Sequence, residues 1–198
     1  MNGEKKADWV DPGFVGLMAL AAAVASLWPI LTGIVPPTAV PMVIGWMFIT
    51  GVALIICGVI CLRVGNLPVG APCVMFGAVI NWGTAASFAI EIWGKANGMQ
   101  INGAPLNGWV FLVIGFLAVG IGWPFGFVSW LMWIWVMILA VAFWLAGLGF
   151  LGVLGPGFIA LAGWLLLIFN IICLYLAIAG HINTAAGGKM PLGSPLFK

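Results

Sequence analysis

Charge is what this sequence has least of. Of 198 residues, six are Lys or Arg and four are Asp or Glu, so 5% are charged, where soluble domains carry about one quarter. So few charges cannot cover a water-facing surface, which excludes a cytosolic enzyme and a secreted disulfide scaffold. The net charge of +2 offers no basic face to nucleic acid. Histidine occurs once, as His181, and tyrosine once, as Tyr175. There is no Ser/His/Asp set, no pair of acids and no Gly-rich phosphate loop, so catalysis and ATP use lack machinery. Nothing calls for a cofactor or a metal: a haem in a bundle needs axial ligands, and His181 stands alone near the chain end.

What is present is apolar length. No Asp, Glu, Lys, Arg or His separates Asp11 from Arg63, only Glu91 lies between Arg63 and Lys95, and only His181 between Lys95 and Lys189. One α-helical crossing takes roughly 20 residues, so the three gaps hold two, one and three crossings. Breakers place them at about 14–34, 40–62, 69–93, 108–122, 127–150 and 158–182. The first stops at Pro36-Pro37, where backbone donors are lost and helical geometry is excluded. The expected fold is all-α: a polytopic membrane protein, one six-helix transmembrane bundle in a lipid bilayer. Residues 94–107 read as an external polar loop and 183–198 as a cytoplasmic tail. The first span is longer than a signal-peptide core and follows a polar stretch, so it is expected to be retained. Lys5, Lys6, Arg63, Lys189 and Lys198 fall on one side and Lys95 on the other. That bias puts both termini in the cytoplasm, across the cell membrane.

Small residues set how closely these helices pack. Ala19, Ala22, Ala23 and Ser26, then Ala53, Cys57 and Cys61, then Ala118 and Gly122, form stripes of the kind that let backbones approach in lipid. The same stripe reads Cys57 and Cys61 as packing residues in preference to a soft-metal site, which would recruit His or carboxylate. Trp9, Trp93, Trp109 and Trp123 fall where spans meet water. Trp130, Trp133, Met137, Ala140 and Trp144 share one helix face, which either lines a narrow conduit or faces lipid or a neighbouring protomer. Glu91, beside Trp93, reads as a snorkelling carboxylate. Serine and threonine can bond the preceding helical turn, whereas Asn81 and Asn170 need a partner helix or a cavity. Asn81, Asn170, Cys173 and Tyr175 are the candidates for a substrate path.

Three stretches, in chain order, resemble the acetate uptake transporter family, which includes bacterial succinate/acetate permeases and fungal acetate transporters. The first is Asp11-Pro12-Gly13-Phe14-Val15-Gly16-Leu17, of which Pro12, Gly16 and Leu17 are identical to the family pattern. The second is Gly58, then Gly65-Asn66, then Phe76-Gly77. The third is Ala162-Gly163-Trp164 with Tyr175-Leu176-Ala177, followed by Asn183, Gly187 and Pro191-Leu192-Gly193. The resemblance implies a homohexamer with one pore per protomer and an apolar constriction that maps onto Leu20, Phe76 and Met137. Leu20 replaces an aromatic, Leu54 and Cys61 replace a glutamine and an acid, and Asn170 replaces a small residue, so the chain resembles a divergent member.

A dry neck opposes an anion, whose desolvation costs many kcal/mol, far more than a small acid that carries its own proton. The function this implies is channel-like transport of acetate or a similar small monocarboxylate. Two other readings stand beside it: a channel for a small neutral solute such as urea or a short amide, and a non-transporting subunit of a membrane complex.

Overall fold

The computed structural model describes residues 9–198; Lys5 and Lys6 lie outside them. Among the described residues all regular structure is helical. Six stretches are long and apolar enough to cross a membrane: Gly13–Leu31, Pro37–Arg63, Leu67–Ala96, Ala104–Phe127, Trp130–Phe150 and Gly157–Ala186. The chain is a multi-pass membrane protein. Its spans are built from α1 (Gly13–Leu31), α2 (Val40–Arg63), α3 (Leu67–Met75), α4 (Trp82–Ala96), α5 (Ala104–Gly122), α6 (Trp130–Phe150) and α7 (Gly157–Ala186).

Several helix ends follow from local chemistry. Asn102 accepts the Ala104 N–H at 3.3 Å, and Pro105 sits in the first turn, so α5 starts four residues before Gly108. Ser129 is extended and caps α6 by accepting the Leu131 and Met132 N–H groups at 3.2 and 3.3 Å. Residues 123–127, just before it, instead continue α5 as a 3-10 turn. In α7, Thr184 bonds the Gly180 carbonyl at 2.8 Å, so its polar residues extend the helix to Ala186.

The third span is composite. Pro72 lies inside α3 and removes one helical donor, and a π-helical turn, Phe76–Asn81, joins α3 to α4. Such wide turns break the regular stacking of side chains and recur at functional sites. Here the turn places Phe76, Ile80 and Asn81 toward the bundle interior, where all three are buried.

Glycine pairs bring helix backbones together. A methyl group built on Gly58 would stand 2.8 Å from the Gly70 carbonyl oxygen, and one on Gly70 would stand 2.9 Å from that of Gly58. Gly51 and Gly77 repeat the arrangement one seam further along, at 3.0 and 2.7 Å, and Gly108 and Gly147 do so between α5 and α6, at 2.9 Å both ways. Only a residue without Cβ permits such contact. Cys57 and Cys73 are buried beside Gly16 of α1, and the Cys173 thiol bonds the Leu17 carbonyl at 3.3 Å. All four cysteines are free thiols.

The aromatic face of α6 is partly covered from within the chain. The Trp144 indole lies over Gly115, and the Met137 methyl stands against Gly122, where an added Cβ would be 2.6 Å away. Trp130 packs on Gly193, and Trp133 meets Phe197 edge-on at 6.1 Å. Glycines of α5 and the C-terminal tail leave slots into which these large side chains pack, while Trp130 keeps 46% of its surface exposed.

Candidate functional site

Three cavities lie inside the bundle, and their walls overlap. At the end where α1 begins and α7 ends, an inner chamber of about 180 Å³ is walled chiefly by α1, α3, α6 and α7. A middle chamber of about 30 Å³ follows, and then an outer chamber of about 280 Å³ walled by α1, α4 and α5. Leu20 and Phe76 border both the inner and the middle chamber, and Leu27 and Ile80 border both the middle and the outer one. The order along every wall is the same. α1 contributes Gly13 to Leu20 inside, Leu20 to Leu27 in the middle and Leu27 to Leu31 outside, while α6 contributes Trp135 and Val136, then Leu139 and Phe143, then Phe150. The three chambers therefore follow one another along the bundle, with the smallest between the other two.

The centre is narrow and lined almost wholly by hydrocarbon. At about 30 Å³ it is the smallest of the three, against about 180 and 280 Å³ on either side. Its walls include Val24, Met47, Leu139, Phe143 and Leu166, with Asn81 as the one polar side chain. Asn81 is 2% exposed and donates to the Thr50 hydroxyl at 3.1 Å; that hydroxyl donates in turn to the Trp46 carbonyl at 2.6 Å. The amide thus bridges helices and borders the middle chamber as well.

Polarity rises outward. The outer chamber holds Thr84, Ser87 and Asn107, and the last two exchange hydrogen bonds at 2.9 and 3.2 Å across α4 and α5. Glu91 and Lys95 lie beyond it, in a cleft with Thr38 that shares Phe88 with the outer chamber. Among the described residues, no Asp, Glu, Lys, Arg or His lines any of the three chambers.

The candidates read from sequence fall into different places. Leu20, Phe76 and Asn81 come together at the narrow centre. Met137 is not among its walls, because the methyl fills the slot at Gly122; Leu139 and Phe143 supply the α6 wall instead. Cys173 is fully buried in the contact between α1 and α7. Tyr175 lies off the conduit and donates its hydroxyl to the Pro191 carbonyl at 2.5 Å. Asn170 is 5% exposed, lines none of the chambers, and its Oδ1 has no hydrogen-bond partner.

The motif residues near the chain start form a clasp. Asp11 accepts the Gly13 N–H at 2.9 Å and the Asn66 amide at 2.6 Å, and Cys61 points its thiol at the same carboxylate at 3.3 Å. Asn66 caps α3 through the Val69 N–H, and Gly65 holds φ at 87° to make the turn. Pro12 precedes α1, Gly16 and Leu17 line the inner chamber, and Gly77 meets Gly51. Trp164 is half exposed, with its ring 6.2 Å from that of Trp28. Thus most of the motif secures the frame around the conduit. Leu27, Ile80 and Leu139 carry no local signal of a place on these walls, since apolar residues at helical spacing look alike until the helices are placed, and Leu192 is marked only as part of the Pro191-Leu192-Gly193 motif.

No protein-family model and no curated protein matches the chain. Among solved structures, the bacterial acetate channel SatP matches with a TM-score of 0.82 at 20% identity, over 94% of this chain and 100% of that one. The chain has the fold of that channel.

Proposed function

We propose that the protein is a channel-like transporter for acetate or a similar small monocarboxylate, and a divergent member of the acetate uptake transporter family. The observation that carries this reading is the unbroken sharing of wall residues, Leu20 and Phe76 and then Leu27 and Ile80, which joins three chambers into one path. The shared fold with an acetate channel supports it. A chamber of about 30 Å³ without a cation selects by size and by the cost of drying the solute. A carboxylic acid that brings its own proton crosses such a neck far more readily than its anion. On the same reading the protein assembles as a homohexamer with one pore per protomer in the cell membrane, both termini cytoplasmic, as the Lys and Arg bias directs. It is not an enzyme.

A second reading is favoured by one observation. The outer chamber presents neutral amide and hydroxyl groups, Asn107, Ser87 and Thr84, which suit urea or a short amide. Proteoliposomes separate the two. Uptake of labelled acetate above that of empty liposomes, and faster with an inward proton gradient, is the expected result. Swelling in urea without acetate uptake would replace the first reading by the second, and flux of neither solute would defeat both.

A further inference from the structure

Beyond α7 the chain turns back on itself. Gly187 and Gly188 take φ of 73° and 81°, and the following residues form no helix or strand and are mostly exposed. Yet the bundle holds this segment at nearly every step. The Asn183 side chain clamps Met190, accepting its N–H at 2.7 Å and donating to its carbonyl at 2.9 Å. Tyr175 donates to the Pro191 carbonyl and Ser129 to the Leu192 carbonyl. The Ser194 carbonyl accepts the Trp130 N–H at 2.9 Å, one of the donors a helix start leaves free, and the Leu196 and Phe197 N–H groups both reach the Gly126 carbonyl, at 2.8 and 3.1 Å.

Two apolar side chains of Pro191–Lys198 are half-buried, and each has a distinct place. Leu192 borders the inner chamber and, among the described residues, is the only wall residue there from outside the six spans. Phe197 enters an aromatic slot, stacked on Trp123 at 4.8 Å and edge-on to Phe127 at 5.2 Å, over Gly126, where an added Cβ would collide with its ring.

We propose that the C-terminal segment is a gate over the inner chamber, with Leu192 as the closing side chain and Phe197 as its latch. The proposal rests on the conduit reading for what the gate controls, and on the geometry alone for where it lies. A helix of the bundle cannot leave, because lipid would not satisfy its neighbours' packing. The strap can, since water at the bundle end replaces its hydrogen bonds and one aromatic ring is its main apolar anchor. Local openings of this kind occur below the free energy of global unfolding. Release of the strap removes Leu192 from the wall and opens the chamber to water.

Cys73 provides a readout independent of transport. It lines the inner chamber, is 7% exposed, and is the one cysteine among the chamber walls. The test compares the full-length protein with Phe197→Ala and with a chain ending at Met190, all in detergent. The rate at which a small water-soluble methanethiosulfonate modifies Cys73 is followed by mass spectrometry. Both variants are expected to react at least about tenfold faster than the native chain. Acetate flux in proteoliposomes is expected to rise in step. Equal Cys73 rates in all three proteins, each monodisperse by size exclusion, would overturn the gate. Faster labelling with unchanged flux, in a protein that conducts acetate, would overturn it too. If no variant conducts acetate, the transport reading fails and the Cys73 rates still decide whether the strap closes the chamber.

Discussion

Asn81 donates its amide to the hydroxyl of Thr50 at 3.1 Å, joining the π-helical turn of the third span to α2 where the conduit is narrowest. Thr50 remains bonded to the Trp46 carbonyl without Asn81, at 2.6 Å. Loss of the amide therefore strands no acceptor on α2.

Asn81→Leu is expected to cost little stability, about 1 kcal/mol, since the pair's net worth in a membrane interior is of that order. Its effect on transport is expected to be larger, because the middle chamber loses its one polar wall group and gains a branched side chain. Thermal stability in detergent and acetate flux, measured on the same preparation, separate the two. Unchanged flux would remove Asn81 from the path.

The neck itself can be tuned from both sides. Leu20→Phe adds a ring beside a chamber of about 30 Å³ and is expected to cut acetate flux at least about tenfold. Phe76→Ala removes a side chain only 4% exposed and is expected to admit larger monocarboxylates, at a stability cost of about 3 kcal/mol. Equal selectivity for acetate and butyrate in native and Phe76→Ala proteins would show that the constriction lies elsewhere.

Proton carriage by the solute predicts a pH profile. A carboxylic acid with a pKa near 4 to 5 is almost wholly ionised above pH 6, and its neutral fraction then changes about tenfold per pH unit. At fixed total acetate, protein-dependent flux is expected to climb by that factor as pH falls from about 7.5 to about 6.5, once the flux of empty liposomes is subtracted. Flux that follows the anion concentration instead would show that the neck passes a charge.

The glycine seams predict a contrast inside one helix. Gly58→Ala places a methyl 2.7 Å from the Val74 backbone nitrogen and 2.8 Å from the Gly70 carbonyl, so α2 and α3 must separate. A loss of about 1–3 kcal/mol is expected, as for other overpacked cores. Gly45→Ala, on the same helix with nothing within 4 Å, is expected to leave stability equal or slightly higher. Melting curves of the two variants, side by side, check the seam; equal shifts would deny it.

Asp11 holds the inner ends of α1 and α3 together through Gly13 and Asn66. Asp11→Ala is expected to destabilise by about 1–2 kcal/mol, the worth of a lost cap with a charged partner. Hydrogen exchange at the Gly13 and Asn66 amides should rise together, and a change confined to one of them would argue against a shared clasp.

The six spans and the all-helical class were legible in the sequence because lipid leaves the backbone one economical solution: long apolar runs must be helices, and scarce charges mark their ends. Leu20, Phe76 and Asn81 were also legible as candidates, from a resemblance and from the rarity of amides in apolar helices. Tyr175 and Met137 read as candidates too, and the structure places both away from the narrow centre. Tyr175 holds the tail through the Pro191 carbonyl and Met137 fills a glycine slot on α5, and both outcomes depend on which residue of another segment stands opposite. The π-helical turn, the order of the chambers and the return of Leu192 to the inner mouth belong to the tertiary structure alone. Sequence periodicity says which side chains share a face, but the width of the space between faces is set by partners more than a hundred residues away.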